Sequence, residues 1–82
     1  MYARSPDALV TDLGDELVIL NAQSGEMYNL NASGRAAWQA LPTSLDGVAA
    51  ALVALGAAPE AAQADARAWL TQLEAEGLVQ SQ

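Results

Sequence analysis

Apolar and polar positions alternate with a period of two early in the chain and then recur every three to four residues, so strands come first and helices second. Ala8 to Leu13 reads as a strand with Leu9, Thr11 and Leu13 on one side. Gly14-Asp15 is a two-residue hairpin signal, because Gly in the first position suits a type II′ turn. Leu17-Val-Ile-Leu20 is apolar on both faces, which makes it the expected middle strand. Asn21 to Gly25 forms the next turn, and Glu26 to Leu30 is a third strand with Tyr28 and Leu30 on one face. The economical result is a three-stranded antiparallel meander with two free edges.

Asn31 follows as a helix N-cap, and Gly34, Ala37, Trp38 and Leu41 repeat at helical spacing until Pro42 ends the helix. Thr43 or Ser44 caps a second helix, with Asp46 in the first turn, where a carboxylate favours the helix dipole. Leu45, Val48, Leu52 and Leu55 supply its apolar stripe, and Gly56 stops it. Pro59 suits the first position of a third helix and Glu60 the second. Ala62, Ala66, Trp69, Leu70 and Leu73 carry that helix to a terminator at Gly77. Leu78-Val79 adds a short strand or tucks back on the core. Three strands followed by three helices predict an α+β fold, winged helix-turn-helix-like, in a single domain over residues 1–82. The sheet must bury one face against the helices, since a lone meander of this size is unstable.

Composition narrows the function. There is no Cys and no His among the 82 residues, which removes thiolate and imidazole metal sites and the commonest general base. Glu74 and Glu76 form a carboxylate pair, as do Asp15 and Glu16, but neither has a partner base or nucleophile, and the serines have no His to activate them. A non-catalytic protein without metal or cofactor is expected. Three Arg against ten Asp or Glu give a net charge of -7. Arg4, Arg35 and Arg67 are too few and scattered to bind a phosphate backbone, so nucleic acid is not an expected partner. The acidity serves solubility or matches a basic partner. No apolar run is long enough to span a membrane and the start is not a signal peptide, so a cytoplasmic location is expected.

One ordered set of segments carries more. Leu17-Val-Ile-Leu-Asn21, Ser24-Gly25, Tyr28-Asn-Leu-Asn31, Gly34 and Trp38 are followed by Leu45 to Leu52, then Asp65 to Leu73, then Gly77-Leu78. In order and spacing this set resembles the PqqD-like family, the small modules called RiPP recognition elements. The resemblance implies a module that holds the leader segment of a ribosomally made precursor peptide while other enzymes modify or cut it. Members that serve pyrroloquinoline quinone synthesis usually carry a Tyr-Pro-Glu-Gly-like segment before the third strand, where this chain has Gln-Ser-Gly-Glu. It is more similar to the stand-alone leader-binding subunits of lasso-peptide clusters, which work with a cysteine-protease-like leader peptidase and a cyclase. Service to a radical SAM enzyme in pyrroloquinoline quinone synthesis is the alternative.

The resemblance implies that the leader adds a strand to the edge formed by Glu26, Met27, Tyr28, Asn29 and Leu30, with a groove between that strand and helix three. On helix three, Asp65 and Trp69 lie one turn apart and Leu73 continues that side, although Leu73 also reads as core with Ala66 and Leu70. Trp69 is either a core residue or an apolar wall with one N–H donor. Asp65 is either a solvated helix residue or a partner for a basic leader residue. Met27 can adapt its shape to a ligand. Tyr28, Leu30 and Trp38 read as core packing. A winged-helix DNA regulator would need basic or amide side chains on its recognition helix, and Gln63, Arg67, Thr71 and Gln72 among acids are poor material for it. A structural adaptor would show a large exposed apolar patch instead of a groove. The chain is expected to be a monomer or a weak homodimer.

Overall fold

The computed structural model describes residues 1–81. Strands β1 (Tyr2–Arg4), β2 (Ala8–Asp12), β3 (Leu17–Asn21) and β4 (Met27–Leu30) come first. Helices α1 (Ala32–Ala40), α2 (Leu45–Ala54) and α3 (Pro59–Ala75) follow, and β5 (Val79–Ser81) closes the chain. The fold is α+β. Strands β2, β3 and β4 form the antiparallel meander in that order, with β3 in the middle as its doubly apolar sequence requires. Gly14 turns the first hairpin at φ 97°, a conformation that suits the first position of a type II′ turn, and its N–H is held by the Asp12 carboxylate at 2.8 Å.

The pleat puts Leu17 and Ile19 at 1% and 0% exposure beneath the helices. Above them lie Trp38 of α1, Val48 and Leu52 of α2, and Leu70 and Leu73 of α3, all buried. Tyr28 and Leu30 pack against this core from β4. Ser44, not Thr43, caps α2 by accepting the Gly47 N–H at 3.2 Å. Thr43 instead exchanges backbone hydrogen bonds with Tyr2 at 2.7 and 3.0 Å. Leu55 falls at the C-cap of α2 and is half-exposed, so it does not extend the apolar stripe.

A second, two-stranded sheet pairs β1 with β5, Ala3 opposite Gln80. It delivers Leu78 and Val79 to the core at 1% and 3% exposure and resolves the chain end as a strand. Arg4 continues from β1 over the Trp38 ring, 5.7 Å from its centroid, and donates to the Trp38 and Gln39 carbonyls at the end of α1. A guanidinium there places donors and positive charge at the carbonyl end of the helix. Among the described residues, no helix is long and apolar enough to cross a membrane.

Candidate functional site

Strand β4 is an edge of the sheet, and hydrogen-bond parity shows which of its backbone groups are free. Asn21 N–H donates to the Glu26 carbonyl at 2.9 Å, so this pair belongs to the bonded set of the antiparallel ladder. Alternation then assigns Tyr28 and Leu30 to β3 through Ile19 and Leu17. The opposite hairpin agrees, because Leu13 and Glu16 bond at 2.9 Å and Ala22 and Asp7 at 2.9 Å, which spends the even residues of β3 on β2. The N–H and C=O groups of Met27 and Asn29 therefore point away from β3. They form a four-group template for one more strand. Glu26, Tyr28 and Leu30 have no backbone group to add, and their role is to fix the edge.

At the end of β4 the chain enters α1 without a spacer, and this junction is one wall of a groove of about 290 Å³. Asn31, Ser33 and Gly34 line that wall, Leu52 and Ala57 the floor beside α2, and Asp65 and Trp69 the face of α3. Asn31 caps α1, its side-chain oxygen accepting the Gly34 N–H at 3.0 Å. A Cβ on Gly34 would stand 3.0 Å from the Leu30 Cβ, so glycine lets the helix start close against the strand. Trp69 is partly buried and packs on the core while lining the groove. Its indole N–H is buried and finds no hydrogen-bond partner among the described residues. Buried donors of this kind are rare and costly.

Leu73 is not brought to the groove. At 2% exposure it belongs to the core. Residues four apart drift by about 40° around a helix, so the row that starts at Asp65 and passes Trp69 has turned inward at Leu73. Met27 is 67% exposed but lies on the opposite face of the sheet from Tyr28, away from the groove. Tyr28 faces the helices, and its phenol pKa is raised first by partial burial and then by the Glu26 and Glu76 carboxylates. The phenol therefore stays neutral at neutral pH.

No local pattern marks Asn21 as a positioning residue. Its side chain is buried, accepts N–H groups of Gln23 and Ser24 at 2.9 and 3.3 Å, and donates to the Glu76 carbonyl at 2.9 Å. It thereby ties the β3–β4 turn to the end of α3, the two elements that flank the site. Its partner is 55 residues away, which no local pattern reports. Among the described residues no cluster of three acidic groups is arranged to hold a metal ion.

Residues 16–79 match the family described as coenzyme PQQ synthesis protein D, PqqD. This chain belongs to the PqqD family. No curated protein matches it. Two solved structures share the PqqD-like fold along their whole length. One is TbiB1 in complex with the TbiA(β) leader peptide, 23% identical, with a TM-score of 0.87 over 98% of this chain and 96% of that one. The other is a lasso peptide synthetase B1 complexed with the leader peptide, 25% identical, with a TM-score of 0.82 over 98% of both chains.

Proposed function

We propose that this PqqD-family chain is a non-catalytic module, one domain over residues 1–82, that captures the leader segment of a ribosomally made precursor peptide. It presents that precursor to a leader peptidase of the cysteine-protease type, or to another modifying enzyme, in lasso-peptide biosynthesis. The observation that carries the reading is the free backbone of Met27 and Asn29 running into a groove with an unpartnered indole N–H. The two solved neighbours, each in complex with a leader peptide, support it.

The energetics require both parts of the site. Four added backbone hydrogen bonds contribute about 1 kcal/mol each net. Association costs roughly 4–15 kcal/mol, so strand addition alone does not hold a peptide. The groove supplies the remainder through an apolar anchor against Trp69 and Leu52, an acceptor for the indole N–H, and a basic or hydrogen-bonding group for Asp65. Within the PqqD family, delivery of a pyrroloquinoline quinone precursor to a radical SAM enzyme is the second reading, favoured by the family's description.

Titration of ¹⁵N-labelled protein with the synthetic leader of the co-encoded precursor tests this. Amide shifts at Met27 and Asn29, with a downfield indole resonance for Trp69, are expected. Failure to bind at millimolar peptide overturns the leader-capture reading, and preference for a pyrroloquinoline quinone precursor leader selects the second one.

A further inference from the structure

The face of the sheet turned away from the helices carries an unusual composition. Its rows, set by the strand register, are Asp7 with Ala22, Leu9 with Leu20 and Met27, Thr11 with Val18 and Asn29, and Leu13 with Glu16. Antiparallel sheets with one open face place polar residues there. Here Leu9 is 54%, Leu13 53% and Met27 67% exposed, and Val18 and Leu20 are partly exposed between them. The doubly apolar β3 is thus covered on one side only by the described residues.

The charges around this strip are of one sign. Asp7 stands at one end and Glu16 at the other, in the register that the Asp7–Ala22 and Leu13–Glu16 hydrogen bonds define. Among the described residues no cation shares the face. Arg4 is committed to the end of α1, Arg35 to Asp12 on the helix side of the sheet, and Arg67 belongs to α3. A second copy would bring an equally acidic strip and a net charge of -7 against this one, without a neutralising group. An apolar partner surface flanked by Lys or Arg meets both requirements.

We propose that this outer face is the docking surface for the processing enzyme, through a complementary apolar patch with basic flanks. The proposal rests on the leader-capture reading. A leader added at β4 extends the same sheet, and its alternate side chains continue the face beyond Met27 and Asn29. The enzyme thereby meets one surface built from both the module and its cargo.

The test uses the purified leader peptidase encoded with this chain, full-length protein loaded with leader peptide, and the variants L9S/L13S and E16K. These substitutions lie on β2 and the first hairpin, away from β4 and the groove. Peptidase affinity is expected to fall at least tenfold for L9S/L13S, and several-fold with a weaker salt dependence for E16K. Leader affinity and thermal midpoint, measured in parallel, should stay close to wild type. Unchanged peptidase affinity in folded variants overturns the proposal, as does absence of association between the wild-type complex and the peptidase. A wild-type dimer in sedimentation that L9S/L13S dissociates overturns it in favour of a second copy. Failure of the wild type to bind leader would instead strike the reading beneath it.

Discussion

Trp69 combines a packing surface with an unsatisfied donor, and two substitutions separate these contributions. Trp69→Phe keeps an aromatic wall and deletes the buried N–H. Leader affinity should fall about fivefold, the equivalent of about 1 kcal/mol for one net hydrogen bond. The free protein should be no less stable, since an orphaned donor has gone. Trp69→Ala removes the wall, and leader binding should weaken at least tenfold while the chain still folds, because this side chain is only partly buried. Calorimetric titration and thermal melts on the same samples check both variants, and an unfolded Trp69→Ala would make the residue purely core. Asn21→Ala is the contrasting case. It deletes three hydrogen bonds, leaves the Glu76 carbonyl without its donor, and should cost about 2 kcal/mol in urea unfolding. Trp69 and Asp65 were legible as a pair because helical spacing is local, whereas the reach of Asn21 to Glu76 depends on how the hairpin docks.

Strand β4 offers its template through only two residues, and a proline distinguishes the free groups from the spent ones. Asn29→Pro removes an outward N–H and leaves the ladder to β3 intact, which edge strands tolerate. It should abolish most leader binding with a modest loss of stability, whereas Tyr28→Pro should break the sheet itself. Native chemical shifts with lost binding would distinguish the first outcome from the second. On α2, Gly47 stands against the preceding loop. A Cβ there would meet Thr43 at its hydroxyl, with its Cβ at 2.9 Å and its Cγ2 at 3.0 Å. Thr43 is pinned by its backbone bonds to Tyr2, so it gives little way. Overpacking costs about 1–3 kcal/mol, against a gain of about 1 kcal/mol for alanine over glycine in a helix. Gly47→Ala should therefore lower the thermal midpoint although it improves helix propensity. The three meander strands and three helices were legible from period and punctuation. Strand β1 was not, because three residues paired to the far end of the chain have no periodicity to show.

For the molecule as a whole, acidity is the governing electrostatic fact, and among the described residues one ion pair stands against it. Arg35 of α1 holds Asp12 of β2 in a two-pronged contact, both arms at 3.0 Å. The Asp12 pKa is lowered below its ordinary 3.8, first by the hydrogen bond from Arg35 and then by the Gly14 N–H. A depressed carboxylate pKa contributes stability that is complete above the unfolded value and fades as pH falls through the folded one. Wild type should therefore exceed Asp12→Asn by a constant margin at pH values well above the ordinary 3.8, and the margin should shrink as pH falls below it. Thermal melts across that range check the sign. A margin that grows on acidification would contradict it. The same acidity sets the electrostatic character of the open sheet face and of the groove beside Trp69.

By itself the sequence determined the order and type of the main elements, the identity of the middle strand, the Asn31 cap of α1 and the absence of imidazole and thiol side chains. Each of these follows from residues within one turn or one strand of each other, where propensity and periodicity act. Only the tertiary structure decided that Leu73 turns into the core while Trp69 stays at the groove, that Met27 and Asn29 hold the free backbone, and that Leu9 and Leu13 face solvent. Those outcomes depend on which face of each element finds a neighbour. That is a property of packing between segments far apart in the chain, and local pattern does not encode it.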